Sequence, residues 1–155
     1  MLKKNWYNTD IKVTQTLVGI LSTSTTDINC TGVDGRGYGS VIHQVTLGDS
    51  ADTLSGSLMV ELELEESDDD NTYTDCANTA LENPTTGGVG YVTGTNTGTF
   101  AVVDAPSEDS AAFAVRYVGT KRYSRVVVNK TGTHTTGIEV FAQAFRARPA
   151  VLPVA

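Results

Sequence analysis

Apolar and polar side chains alternate with a period of two along most of this chain. In residues 57–65 the leucines and Val60 fall on one side of the pattern, and Met59 and three glutamates fall on the other. This alternation is typical of a β-strand with one buried face and one solvated face. The segment at residues 138–146 carries apolar residues on both faces, which predicts that both faces are covered. The same pattern predicts strands at residues 11–21, 41–47, 99–103, 112–118, 123–129 and 138–146.

Turn-forming residues separate these segments. Four glycines lie within residues 32–39, and glycine, asparagine and acidic residues cluster again near residues 67–71, 84–98 and 131–137. A weak helical signal covers a turn or two at residues 75–81. About eight strands at regular spacing predict an all-β fold, an antiparallel jelly-roll-like β-sandwich with extended terminal arms.

The two ends of the chain differ from its body. We predict an N-terminal arm at residues 1–10, a β-sandwich domain at 11–147 and an extended C-terminal tail at 148–155. Pro149 and Pro153 each lack a backbone N–H, so they are unsuited to a central strand. The residues after Lys3 and Lys4 do not form the apolar core of a signal peptide, which predicts folding in a cytoplasm.

Composition narrows the function classes. The chain has 155 residues, 23 of them Thr and 15 Gly, with a net charge of −7. The length suits one domain, and the acidic balance argues against coating nucleic acid or an anionic membrane. No apolar run approaches the ~20 residues that span a bilayer.

Charge is distributed unevenly along the chain. Residues 1–109 carry 4 basic and 17 acidic side chains, whereas residues 110–155 carry 7 basic and 1 acidic. The two groups either neutralise each other inside the fold or contact different molecules in an assembly. We favour internal neutralisation for most of these charges.

The sequence presents no recognisable catalytic or metal site. The run from Asp68 to Asn71 could supply oxygen ligands to calcium, but it does not fit the EF-hand register, and a solvated hairpin loop is the favoured interpretation. His43 and His134 have no neighbours at ligand spacing. Cys30 and Cys76 lack a metal-binding pattern, and free thiols are favoured over a disulfide. We therefore predict a non-enzyme without a cofactor.

Four segments together resemble a known family. They are residues 62–74 (LELEESDDDNTYT), 98–106 (GTFAVVDAP), 117–127 (YVGTKRYSRVV) and 132–137 (GTHTTG). They are similar to small proteins encoded beside the major capsid protein in tailed bacteriophages, which look like capsid cement or decoration proteins. The resemblance covers about residues 40–150, and GTKRYSR and TGTHTTG are its most specific parts.

The resemblance implies a structural virion protein on the capsid surface. Its partners would be the phage major capsid protein and itself, as a homotrimer, with no nucleic acid and no membrane. In GTKRYSR the ring of Tyr123 is expected to pack inward. Candidate capsid or inter-subunit contacts are Trp6, Tyr7, Lys121, Arg122, Arg125, Arg146 and Arg148.

A shorter resemblance points to another class of function. The segments ELEESDDDNTYT and KRYSRVVV are also similar to discoidin-type, galactose-binding-like jelly rolls. Those modules bind sugars or lipids, and Tyr73 stands where they usually carry Trp. The alternative function is therefore a carbohydrate- or surface-binding module on a phage head or tail.

Overall fold

The computed structural model describes residues 11–82 and 96–150. Each strand predicted from the alternation is present, and four two-residue strands add to them. One 3-10 turn, Asn78–Ala80, lies within residues 75–81, where the sequence had a weak helical signal. The strands are β1 (Ile11–Ser24), β2 (Ile28–Asn29), β3 (Val33–Asp34), β4 (Tyr38–Ser50), β5 (Met59–Ser67), β6 (Thr74–Asp75), β7 (Leu81–Glu82), β8 (Thr99–Val103), β9 (Ala112–Tyr117), β10 (Tyr123–Thr131) and β11 (His134–Pro149).

The strands form two antiparallel sheets packed face to face. The five-stranded sheet has the order β1-β11-β4-β9-β7. The six-stranded sheet has the order β2-β10-β5-β6, with β3 also paired to β10 and β8 paired to β5. The predicted all-β antiparallel sandwich is confirmed, and its jelly-roll connectivity stays a prediction.

The core lies between the two sheets and is built from the inward-facing residues of both. Each fully buried aliphatic side chain stabilises the fold by roughly 1.5–3 kcal/mol relative to exposure. Alternation along each strand therefore decides which residues are held away from water. The five-stranded sheet contributes Val45, Leu47, Val115, Ile138 and Val140, and the six-stranded sheet contributes Val60, Leu62, Leu64, Val126 and Val128.

Two predictions about outer faces were wrong. The glutamates of β5 were expected to be solvated, but Glu61 and Glu63 are each 3 % exposed. The strand lies between β10 and β8, and the amides of Asn96 and Asn129 donate hydrogen bonds to Glu63. The outer face of β11 was expected to be covered, but Phe141 is 46 % exposed.

Strand β11 continues through Arg148 to Pro149, which pairs with Tyr38 of β4. The pairing of β1 with β11 begins at Ile11 and Ala147. Within the described residues Pro149 is therefore paired only on the side that faces β4. A proline is tolerated where a strand has an open side. The described ranges contain no helix with the length and hydropathy needed to cross a membrane. The predicted N-terminal arm, with Trp6 and Tyr7, and residues 151–155 lie outside the described residues.

Candidate interaction surface

A wide cleft of about 690 Å³ opens at one end of the sandwich. One wall is the glycine-rich turn between β3 and β4, and the other is the turn between β9 and β10, which contains the first four residues of GTKRYSR. We call these two turns and the space between them the basic cleft. The side chains that give it positive charge are Arg36, Arg116, Lys121 and Arg122, beside one lining carboxylate, Asp68.

Basic side chains concentrate at this end of the molecule. The chain has eleven lysines and arginines, and Lys3 and Lys4 lie outside the described residues. Of the nine within residues 11–82 and 96–150, Lys130 alone lies at the opposite end, where its Nζ donates to Ser22 Oγ at 2.7 Å. The opposite end carries carboxylates such as Asp49 and Asp104. Basic side chains are therefore distributed unevenly along the strands, with most of them at the cleft end.

The cations around the cleft pair with carboxylates of the same chain. Arg116 Nη1 lies 2.6 Å from Glu82, Arg122 Nη2 lies 2.8 Å from Asp34, and Arg125 Nε lies 2.7 Å from Glu65. Lys121 pairs with Asp68. The hydrogen bond from Arg122 holds the pKa of Asp34 below its usual range. The interpretation that the two charged halves neutralise each other within the fold is thus confirmed for this group.

Tyr117 fixes the turn that carries the first four residues of GTKRYSR. Its hydroxyl donates to Glu66 Oε2 at 2.6 Å and accepts from the backbone N–H of Lys121 at 2.9 Å. A Cβ on Gly119 would lie 2.4 Å from the Tyr117 ring, so a residue without a side chain is needed there. Burial and the hydrogen bond to Glu66 raise the pKa of Tyr117, which keeps its donating proton in place.

The ring of Tyr123 was wrongly expected to pack inward. The Arg122 guanidinium lies over that ring, 4.7 Å from its centre, and the neighbouring Ser124 is the residue that faces the core. Arg125 stacks in the same way on Tyr73, at 4.0 Å. Stacked guanidinium groups lose side-chain freedom in the folded state, so they present a fixed surface.

The remaining predicted contact residues lie at the same end. Arg146 donates to the backbone oxygen of Asp34 at 3.1 Å and to Thr14 Oγ1 at 3.0 Å. Arg148 is exposed and lies against Gly39, a cleft residue. The structure thus brings Lys121, Arg122, Arg125, Arg146 and Arg148 together around one end, whereas Trp6 and Tyr7 fall outside the described residues.

The acidic run 68–71 forms a closed turn. Asp69 Oδ1 accepts from the backbone N–H groups of Asn71 at 3.0 Å and Thr72 at 2.8 Å. Those hydrogen bonds lower the pKa of Asp69. Asp68 pairs with Lys121, and Asp70 accepts from the hydroxyl of Tyr73. Each of the three carboxylates therefore has a structural partner, which supports the hairpin-loop interpretation.

A second group of carboxylates lies on the outer face of the six-stranded sheet. Oxygen atoms of Glu63, Glu65 and Asp75 lie within 4.8 Å of one another, a spacing at which carboxylates can hold a divalent cation. Burial, followed by the nearby charges of Asp75 and Glu65, raises the pKa of Glu63 to about 7, although the amide of Asn129 opposes this shift. One carboxyl of this group is therefore protonated below neutral pH.

We expect Glu63→Gln to raise the melting temperature at pH 8 and leave it nearly unchanged at pH 5. A raised folded-state pKa means that the stabilising protonated form is lost as pH rises from about 4.5 through 7. A glutamine still accepts from the two asparagine amides but never acquires the charge. Thermal unfolding at both pH values measures this, with Glu139→Gln on an exposed site as the control. An equal shift at pH 5 and pH 8 would contradict the assignment.

A buried histidine and serine link the two sheets. His43 Nε2 and Ser124 Oγ lie 2.8 Å apart, and the two residues are 0 % and 1 % exposed. Nucleophilic catalysis would need this pair to reach a substrate, and burial prevents that. His43 Nδ1 has no hydrogen-bond partner. The pair therefore forms a buried hydrogen bond that joins the two sheets within the core. The sequence did not predict this contact, because Tyr123 was expected to face inward and its neighbour Ser124 therefore outward.

Cys30 and Cys76 are both free and buried, so the free-thiol interpretation is confirmed. Burial raises the pKa of the Cys30 thiol to about 12 and also raises that of Cys76. Thiols that stay protonated are poor nucleophiles and poor metal ligands. The two cysteines therefore serve as small apolar core residues.

Comparison with known proteins identifies no relative. No family model, no curated protein and no solved structure matches this chain.

Proposed function

We propose that this chain is a structural virion protein of a tailed bacteriophage. As a capsid cement or decoration protein, it would bind the outer surface of the head and stabilise contacts between capsomers of the major capsid protein. The proposal combines the sequence resemblance with the architecture of the basic cleft. The observation that carries it is the position of GTKRYSR, one of the two most specific parts of the resemblance, whose first four residues form a turn held by Tyr117 at the rim of that cleft.

A stiff contact surface favours this role. A protein that holds neighbouring subunits together must present its contact residues without a large loss of side-chain entropy on binding. Lys121 and Arg122 are already held by ion pairs with Asp68 and Asp34, and Tyr117 fixes the backbone at Lys121. Arg36 is 71 % exposed and lies 3.8 Å from Asp34, so it can reach acidic groups of a partner.

Self-association would strengthen attachment to the head. Several linked copies bind a repeated lattice far more tightly than one copy, because each later contact forms at a high effective concentration. A homotrimer is the oligomer that the family resemblance implies. The chain would fold in the host cytoplasm before assembly and reside on the capsid surface of the virion.

We expect the purified chain to bind empty phage heads at a fixed copy number. Co-sedimentation would measure saturation, and electron microscopy would locate the bound density on the shell. The double variant Arg36→Gln and Lys121→Gln should bind about tenfold more weakly, since rim charges contribute roughly 0.2–1 kcal/mol each and the effect multiplies across copies.

The matched control is Asp104→Asn, which removes an exposed charge at the opposite end. It should bind as the wild type does. Circular dichroism of all three proteins separates lost binding from lost folding. Absence of the wild-type protein from the shell, or density confined to the tail, would end the proposal.

A further inference from the structure

A neutral groove of about 310 Å³ lies on the outer face of the five-stranded sheet. Strands β1, β11 and β4 run side by side here, and the register places Gln15, Gln143 and Gln44 in one row across them. Gln143 Nε2 donates to Gln44 Oε1 at 2.9 Å, which orients both amides. The glutamine row thus offers hydrogen-bond donors and acceptors along the groove.

An aromatic ring borders this row. Phe141 lines the groove and is 46 % exposed. Its ring lies over Gly19 of β1, because a Cβ built on Gly19 would stand 1.9 Å from ring atom Cε1. The glycine backbone supports the ring on one side and leaves the other side open to a ligand.

A bulge in β1 interrupts the sheet surface at the groove. Gln15 pairs with Gln143, but the next pairing joins Leu17 to Ala142, so Thr16 is an extra residue on β1. β-bulges bend a strand locally and re-aim neighbouring side chains, and they are frequent beside binding sites. This bulge separates Gln15 from the Gly19–Phe141 contact and contributes to the depression between them.

The groove carries no formal charge on its lining, although the chain has a net charge of −7. An anionic ligand would find no cation there, and a cationic ligand would find no carboxylate. A suitable ligand is neutral, has many hydroxyl or amide groups for the glutamines and Thr46, and has an apolar face for the Phe141 ring. Saccharides combine hydroxyl edges with C–H faces, which is the chemistry that such a mixed lining accommodates.

We propose that this groove is a binding site for a neutral saccharide. The glutamine row would hydrogen-bond the hydroxyl groups, and a sugar ring would lie on Phe141. The inference goes beyond the capsid function and does not depend on it, because the groove and the basic cleft have no lining residue in common. A second copy of the chain is the competing occupant, since the glutamine amides are also complementary to themselves.

Saturation-transfer NMR against a fixed panel tests the proposal at weak affinity. The panel comprises maltohexaose, cellohexaose, chitohexaose, mannohexaose, a galactose oligomer, and an anionic heparin hexasaccharide. At least one neutral oligosaccharide should show saturable transfer, and heparin should not. Absence of transfer from every neutral member would overturn the proposal.

Two variants locate the site. Phe141→Ala removes the ring, and Gly19→Ala displaces it while retaining it in the chain. Each should weaken binding by at least tenfold, and Glu139→Gln, two residues away on the same strand, should not. Binding that survives both groove variants would place the saccharide elsewhere. A Phe141-dependent dimer in sedimentation equilibrium, without saccharide binding, would assign the groove to a second copy instead.

Discussion

We expect Gly98→Ala to destabilise the protein by about 3 kcal/mol, which combines backbone strain with a local clash. Gly98 precedes β8 and has a φ of +90°, a conformation that L side chains rarely adopt. A Cβ there would stand 2.7 Å from the carbonyl oxygen of Leu64 and 3.1 Å from that of Cys76. Both neighbours are backbone atoms, one in β5 and one just after β6, so neither can move aside without disturbing the sheet.

The backbone of Gly98 also makes two hydrogen bonds to neighbouring segments. Its carbonyl accepts from Leu64 at 3.0 Å, and its N–H donates to Asn78 Oδ1 at 2.9 Å. Displacing it would loosen the start of β8 and the 3-10 turn together. A loss of about 3 kcal/mol is a large share of the 5–15 kcal/mol that typically stabilises a domain.

Urea unfolding measures this effect, and Gly56→Ala is the matched control. Gly56 has no left-handed φ and no atom within 4 Å of its added Cβ, so its substitution should change the free energy of unfolding by less than about 0.5 kcal/mol. Equal midpoints for the two variants would show that Gly98 is not constrained as described.

We expect His43 to make the protein sensitive to acid between pH 6.5 and 4. Burial lowers the pKa of His43 to about 4. The unfolded chain therefore binds a proton over this range that the folded chain excludes, and the free energy of unfolding falls as pH falls. The slope is about 1.4 kcal/mol per pH unit, which gives a total of about 3 kcal/mol over this range.

Glu63 acts in the opposite direction in part of the same range, because its raised pKa makes the folded state take up a proton as pH falls from about 7 to 4.5. The net pH dependence of the wild type therefore understates the contribution of His43. In the Glu63→Gln variant the opposing contribution of Glu63 is absent, so the pH dependence that comes from His43 can be measured directly.

The test compares Glu63→Gln with the double variant Glu63→Gln, His43→Leu by urea unfolding from pH 7 to pH 4. The slope assigned to His43 should be absent from the double variant, even though Ser124 then loses its partner at every pH. A pH-independent offset between the two proteins would show that His43 does not titrate in this range.

The positions of the strands could be predicted from sequence because alternation is a local property. The pattern at residues 57–65 identified β5, and of the residues it assigned to the core Val60, Leu62 and Leu64 are buried, whereas Leu58 is half-buried. The strong turn signals bounded most of the strands for the same reason. The length of β11 was underestimated, since Gly137 near its start and Pro149 at its end are not typical strand residues.

The candidate sites were predicted unevenly. The basic residues of GTKRYSR were identified from the sequence, and so was the tendency of acidic and basic halves to neutralise each other. Their partners were not, because Arg122 and Asp34 are 88 positions apart. The groove was missed altogether, since Gln15, Gln44 and Gln143 look like isolated polar residues until their strands are placed side by side.

The class of fold and most of the inward residues could be read from the sequence, because a period of two requires no knowledge of neighbouring strands, although the alternation was assigned to the wrong face at Tyr123. The tertiary structure alone decided which strands are adjacent and in what register. That choice buries Glu63 beneath two amides, joins His43 to Ser124, and aligns three glutamines beside Phe141. These features depend on contacts between distant segments, and the strength of such contacts is set by packing and burial rather than by any local pattern.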